Sequence, residues 1–130
     1  MRHHCRQAAY LLAHFQFQIA IDTTTTGFKA PYYRVPYACT ITGWELVSGN
    51  GVSGSVVLDL WKDTYPNYEP TDGDSITGSA LPTLSASNKA QSSTLTGWTT
   101  SLAAGDYIGA NVDSRTTVTV VVLTLLLTRT

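Results

Sequence analysis

Charged side chains are scarce in this sequence, and their scarcity limits the partners that the protein can have. Only 13% of its 130 residues are charged, against roughly 25% in typical soluble domains. The net charge is −1, so we expect no basic face that neutralises phosphates and no nucleic-acid partner. The surface must be covered mainly by Thr, Ser, Gly and Asn, a composition that suits exposed β-strands.

The sequence also lacks a long apolar run, and it has no histidine after residue 14. A membrane-spanning helix needs roughly 20 apolar residues, and the apolar stretch at residues 8–13 is far shorter. We therefore expect no membrane partner, and His14 and Gln16 weaken a signal-peptide interpretation of this stretch. All three histidines lie within residues 1–14, and no Gly-x-Ser-x-Gly elbow occurs, so a hydrolase triad has no sequence support. We predict a protein that is not an enzyme and has no catalytic residues.

Cysteine is limited to Cys5 and Cys39. Sequence alone cannot pair them, so a disulfide stays open, although the apolar strand pattern around Cys39 favours a buried thiol. His3, His4 and Cys5 are residue types that bind zinc. Adjacent residues at a chain terminus rarely complete a tetrahedral site, however. We predict no metal site and no cofactor.

Alternating apolar residues predict a chain built almost entirely of β-strands. The strands are predicted over residues 15–21, 33–41, 55–61, 93–100, 108–112 and 118–128. Residues 6–15 also favour a short helix, and the two interpretations overlap at Phe15. We therefore predict an all-β fold, an antiparallel, jelly-roll-like β-sandwich over residues 18–130. A short N-terminal helix or arm, residues 1–17, precedes it and is expected to serve in assembly.

Proline and glycine residues interrupt this pattern at identifiable places. Pro36 cannot donate to a ladder, so it indicates an edge strand or a bulge. After Gly43 the apolar parity shifts to Trp44 and Leu46, as it does across a β-bulge. The glycine-rich residues 48–54 predict a hairpin connection.

The last predicted strand is apolar on both faces. A strand with one face in water should alternate, so we expect a second cover from the N-terminal segment or from a neighbouring subunit. We predict a homo-oligomer, most simply a trimer. Its interface candidates lie on one face of this strand: Val121, Leu123, Leu125 and Leu127.

Residues 63–92 form a long irregular stretch, which is uncommon unless it carries function or contains short strands. Just before it and at its start lie aromatic and polar residues of the types that bind glycans or partners: Trp61, Lys62, Asp63, Tyr65, Asn67 and Tyr68. Aromatic rings offer flat apolar platforms, and amides and carboxylates bind hydroxyl groups. In the alternative interpretation, Trp61 caps the sandwich and the two tyrosines pack the loop against it.

Carboxylates are frequent in the same region: Asp59, Asp63, Glu69, Asp72 and Asp74. Glycosidase chemistry needs two carboxylates at a defined separation, and a calcium loop of the EF-hand type needs a glutamate at its twelfth position. Neither pattern is present. We interpret these residues as turn residues.

Four segments in a fixed order resemble a recurrent β-sandwich domain of bacteriophage and prophage proteins that is often attached to tail fibres. They are VPYACTITGW (residues 35–44), GSVVLDLWKDTY (54–65), TGWTT (96–100) and AGDYIGANVDS (104–114). The likeness covers about residues 18–130 and leaves out residues 1–15. It implies a structural protein located in the virion.

Two roles are compatible with this resemblance. The first is a tail-fibre or tail-tip module for host attachment, which self-associates, contacts other virion proteins and binds host surface glycan. The second is a capsid decoration (cement) protein that clamps neighbouring capsid subunits. The association of the resembling domain with fibres favours the first role, and the short chain favours the second. We predict the first role and keep the second as the alternative.

Overall fold

The computed structural model describes residues 13–130. Within them, nine strands and two short 3-10 turns follow one another: β1 (His14–Asp22), β2 (Gly27–Arg34), β3 (Cys39–Ser48), β4 (Gly54–Asp63), η1 (Tyr65–Asn67), η2 (Asp72–Asp74), β5 (Thr83–Ser87), β6 (Lys89–Ser92), β7 (Ser101–Leu102), β8 (Tyr107–Thr116) and β9 (Val120–Arg129). None of the helical segments in this part of the chain has the length and apolar character needed to cross a bilayer.

The strands form two antiparallel sheets that pack face to face. The first sheet has the order β1-β9-β3-β6, with β7 also paired to β3, and the second has the order β2-β8-β4-β5. Successive strands change sheet at most connections, including β1 to β2, β3 to β4 and β8 to β9. This is the strand order of a jelly roll. The predicted all-β, antiparallel, jelly-roll-like sandwich is therefore confirmed.

One face of β9 lies in the centre of the hydrophobic core. Its side chains are at most 1% exposed: Val121, Leu123, Leu125 and Leu127. The assignment of these four residues to an oligomer interface is wrong, because the opposite sheet of the same chain already covers them. The outward face of β9 carries the remaining apolar side chains, which are half-buried: Val120, Val122 and Leu126.

The first strand begins at His14, whereas the predicted start of the sandwich is residue 18. Phe17, Ile19 and Ile21 are buried and the residues between them are exposed, as the alternation predicts. Phe15 thus lies in a strand and not in the predicted helix. His14 lies in the same strand. Residues 6–12 of that helix, most of the predicted arm and the candidate metal ligands at residues 3–5 fall outside the described residues.

Cys39 is buried on the inward face of β3, with 1% of its surface exposed. This confirms its predicted burial. The same burial raises the pKa of its thiol. Cys5 lies outside the described residues, so the pairing of the two cysteines is not tested.

The single strand predicted over residues 33–41 is instead two strands in different sheets. β2 ends at Arg34, and β3 begins at Cys39 in the opposite sheet. Between them, the Val35 N–H donates to the Asp106 carbonyl at 2.8 Å, and the Val35 carbonyl accepts the Gly105 N–H at 2.7 Å. Because the next residue, Pro36, has no N–H, it cannot extend the ladder, and the chain crosses to the other sheet.

Three other local predictions had different outcomes. The bulge at Gly43 is confirmed, because the register between β3 and β9 shifts between Ile41 and Gly43. The predicted hairpin at residues 48–54 is wrong, since β3 and β4 lie in different sheets and this connection turns the corner between them. The predicted strand at residues 93–100 is also wrong. Its Leu95 and Trp98 pack against the core from a turn.

Asp59 fastens the long connection between β4 and β5 to the second sheet. Its Oδ1 atom accepts hydrogen bonds from Ser75 Oγ at 2.5 Å and from Thr77 Oγ1 at 2.7 Å, and only 8% of Asp59 is exposed. The Ile76 N–H adds a bond to the Leu60 carbonyl at 2.9 Å. The long stretch predicted to be irregular is thus held against the sheet at its middle.

We expect Asp59→Ala to lower the free energy of unfolding by about 2–4 kcal/mol, because two hydroxyl groups lose a charged acceptor in a largely buried place. Chemical denaturation measures the loss. Asp72→Ala, which alters an exposed carboxylate of the same connection, is the control and should change stability by less than about 0.5 kcal/mol. Equal effects of the two substitutions would contradict the anchoring role of Asp59.

Candidate functional site

Six aromatic rings gather at the outer face of the β2-β8-β4-β5 sheet and form what we call the aromatic cluster: Phe28, Tyr32, Trp61, Tyr65, Tyr68 and Tyr107. Each ring contacts the next in one continuous series, with centroid separations of 4.7 to 6.1 Å. Such separations are those of favourable aromatic pairs. The cluster joins the sheet to the connection that Asp59 anchors.

The cluster depends on Gly109, at the middle of the outer face. Trp61 on β4 lies opposite Gly109 on β8, and Phe28 approaches from β2 on the other side of β8. The rings of Phe28 and Trp61 stack at 4.7 Å with an interplanar angle of 8°. They meet above Gly109 because this residue has no side chain. A Cβ atom there would lie 2.4 Å from Phe28 Cζ and 3.0 Å from Tyr32 Cδ1.

Exposure to solvent differs among the six rings. Phe28, Tyr32, Trp61 and Tyr107 are half-buried, whereas Tyr68 is 47% exposed and Tyr65 is 71% exposed. Trp61 therefore acts as a packing residue, in line with the alternative interpretation of the sequence. Tyr65 and Tyr68 extend this packed base into the solvent.

A carboxylate fixes the position of the Tyr32 ring. The Tyr32 hydroxyl donates to Glu69 Oε2 at 2.5 Å, and the Tyr32 ring meets Tyr68 edge to face at 5.1 Å. Burial, and then this hydrogen bond to Glu69, raise the pKa of Tyr32 above its usual range. The carboxylate of Glu69 is thus occupied within the cluster.

Three of the six predicted binding residues belong to the aromatic cluster: Trp61, Tyr65 and Tyr68. Lys62 does not join them, because its Nζ pairs with Asp106 at 3.3 Å. Asp63 and Asn67 serve the local turn. The Asp63 carboxylate accepts the Thr64 N–H at 2.7 Å, and the Asn67 amide donates to Thr64 Oγ1 at 3.1 Å.

For Asp59 the interpretation as a turn residue is wrong, because it lies within β4. Asp72 and Asp74 lie in η2 and match the interpretation. Asp74 accepts the Thr71 N–H at 2.7 Å and closes the first turn of η2. Among residues 13–130, no group of three or more His, Cys, Asp and Glu side chains is arranged to hold a metal ion.

A cleft of about 400 Å³ opens beside the exposed end of the cluster. One wall is η1 with the preceding Thr64, the other is the turn at residues 104–106, and Arg34 and Tyr107 complete the lining. The Arg34 guanidinium lies over Gly105, since a Cβ atom on Gly105 would be 3.6 Å from Arg34 Nη2. The cleft thus combines tyrosine rings with a cation.

Sequence reasoning missed Phe28, Tyr32, Tyr107 and Arg34 as members of this region. They lie on β2 and β8, far from residues 61–68 in the sequence, and the strand order of the second sheet brings them beside β4. A weak signal was present, because Tyr107 and Gly109 both fall in the segment AGDYIGANVDS.

Comparison with known proteins shows a shared fold. Neither a family model nor a curated protein matches the chain. A chain of the solved structure "Capsid of Ralstonia phage GP4" matches with a TM-score of 0.53 and 11% identity, over 90% of this chain and 83% of that chain. The fold of this protein is therefore also found in a phage capsid structure. The more specific resemblance to a tail-fibre-associated domain stays a prediction.

Two further solved structures are more distant. One is "Truncated AlyQ with CBM32 and alginate lyase domains", with a TM-score of 0.43, 12% identity and coverage of 87% of this chain and 34% of that chain. The other is the complex of Aeromonas sobria serine protease with its chaperone, with a TM-score of 0.38, 8% identity and coverage of 90% and 27%. Each likeness is confined to a minor part of a larger protein and is too weak to show a common fold.

We expect Gly109→Ala to break the contact between Phe28 and Trp61, because the new methyl group occupies the space of the Phe28 ring. The free energy of unfolding should fall by about 1–3 kcal/mol, and the near-ultraviolet circular dichroism of the stacked rings should weaken. Gly73→Ala is the control, since its Cβ atom meets only Thr71 Oγ1 at 3.8 Å. An unchanged spectrum in Gly109→Ala would show that the rings do not need this glycine.

Proposed function

We propose that this protein is a structural, non-enzymatic component of a bacteriophage particle and that it attaches to the capsid shell. The observation that carries the proposal is the likeness in fold to a chain of a phage capsid, which spans most of both chains. Because the match covers 90% of this chain and 83% of that chain, the two are comparable as whole units.

The use of the buried polar groups supports a role without chemistry. Asp59 is occupied by two hydroxyl groups of the long connection. Asp106 accepts the Ala103 N–H at 2.9 Å and pairs with Lys62. These contacts hold the long connection and the turn before β8 in place, so both carboxylates serve the fold. We propose that the protein acts through its shape and its outer surfaces.

A tail-fibre or tail-tip module is the second candidate function. The observation that favours it is the exposure of Tyr65 and Tyr68, two rings held in place by a packed base of four more. Exposed large aromatic side chains are typical of recognition surfaces. In this role the protein would contact host surface glycan through the aromatic cluster.

We propose that the protein also self-associates, through the outward face of the β1-β9-β3-β6 sheet. Ala20, Val122 and Val47 lie side by side on three neighbouring strands of this face, and Val47 is 44% exposed. A second copy would cover this apolar row and the half-buried Val120 beside it. This surface replaces the buried face of β9 as the interface of the predicted trimer.

Quantitative mass spectrometry of purified particles of the phage that encodes this sequence tests the particle location. Attachment to the shell predicts a copy number close to that of the major capsid protein. A copy number close to that of the tail proteins would instead favour the tail-fibre role. Absence of the protein from virions would refute both roles.

Light scattering after size-exclusion chromatography tests self-association. We expect a trimer for the native sequence and a monomer for Val47→Lys, because burying an unpaired ammonium group in an interface is strongly unfavourable. Ser85→Lys adds the same charge at an exposed position of β5 on the other sheet and should leave the trimer intact. A monomeric native protein at high concentration would refute the interface.

A further inference from the structure

The cleft beside Tyr65 and Tyr107 has the dimensions of a small-ligand site. Its volume is about 400 Å³, within the range of roughly 300–1,000 Å³ that is typical of such sites. Tyr65 presents most of its ring to solvent, with its centroid 6.1 Å from that of Tyr107. The opposite wall contains Gly105, over which the Arg34 guanidinium lies, with Nη2 3.6 Å from the position that a Cβ atom would take.

The free charge of this cleft is positive. Arg34 is exposed, and its guanidinium makes no hydrogen bond or ion pair with any other of residues 13–130. The carboxylate that lines the cleft, Asp106, is 4% exposed and is neutralised by Lys62. Asp63 follows Lys62 on β4 but does not line the cleft. A guanidinium without a partner among the described residues favours an anionic group, which it binds best through two parallel hydrogen bonds to a carboxylate.

Aromatic rings and a guanidinium together define the chemical class of the ligand more narrowly than either group does alone. The face of a tyrosine ring is electronegative and attracts weakly positive C–H groups, of which a sugar ring presents several on one side. We propose that the cleft binds an acidic saccharide, a pyranose unit that carries a carboxylate. Arg34 pairs with that carboxylate, and the sugar ring packs on Tyr65. This ligand suits the protein in a capsid or a tail location alike.

The ligand test uses trigalacturonic acid and its methyl ester. The two compounds share the sugar rings and hydroxyl groups, and only the acid carries carboxylates. We expect chemical shifts of the cleft residues to change on titration with the acid, and the ester to bind about tenfold more weakly or worse, which corresponds to one charged hydrogen-bonding pair. Raising NaCl from about 20 mM to about 500 mM should weaken binding of the acid and leave the ester unaffected.

The variants separate the two recognition elements. Arg34→Gln should lower affinity for the acid to that for the ester, and Tyr65→Ala should lower affinity for both compounds. Both residues are exposed, so each variant should retain the thermal stability of the native protein. The matched control is Arg129→Gln. Arg129 is exposed and lies away from the cleft, where its guanidinium carbon is 4.1 Å from the centre of the Tyr37 ring. It should bind the acid like the native protein.

Several results would overturn the proposal. Equal binding of acid and ester, or an unchanged affinity in Arg34→Gln, would remove the carboxylate from recognition. Equal binding of inorganic phosphate would show a simple anion site without saccharide recognition. Equal affinity for an acidic peptide such as triglutamate would point to a protein partner, and no binding of the acid by the native protein would exclude the proposed ligand.

Discussion

Burial of the inward faces of β8 and β9, one internal strand from each sheet, is the interaction on which the rest of this molecule depends. Ile108, Ala110 and Val112 on β8 are fully buried, as are the inward residues of β9. Each fully buried leucine or isoleucine contributes about 1.5–3 kcal/mol, so these strands supply much of the force that keeps the sheets together. The inward faces are therefore committed to folding, and contact with partners is left to the outer faces and the loops.

The two outer faces have different chemistry. The face of the first sheet has a row of small apolar side chains among glutamines and threonines, and residues 13–130 place no packed aromatic layer on it. The face of the second sheet has stacked rings above Gly109, with an anchored loop and a cleft at its end. Such a division suits a protein that is proposed to adhere to its own copies on one side and to recognise a ligand on the other.

The sequence was sufficient for the fold class because strand alternation and turn composition are local signals. It placed β1, β4 and β9 close to their observed positions, and it located the bulge at Gly43 from a change in parity. It failed where the meaning of a pattern depends on the third dimension. Pro36 marks a change of sheet, and Trp98 packs on the core from a turn, yet both give the local pattern of a strand.

The candidate site was recognised only in part for the same reason. Trp61, Tyr65 and Tyr68 are close in sequence and were identified together, whereas Phe28, Tyr32 and Tyr107 join them only through the order of strands in the second sheet. The interface candidates on β9 show a related limit. Two apolar faces on one strand indicate that each is buried in the core or contacts a partner, but the pattern itself does not say which of them faces the core.

The anchoring of the long connection by Asp59 also affects how the cleft would bind. Ser75 and Thr77 hold the middle of this connection, while Thr64, Asn67 and the ring contacts of Tyr68 hold its first part. A loop that is free in solution must lose conformational entropy when it closes on a ligand, and this loss weakens binding. Here folding has already ordered the wall that carries Tyr65. The cleft is therefore pre-organised, and a ligand of few contacts can be held without a closing motion.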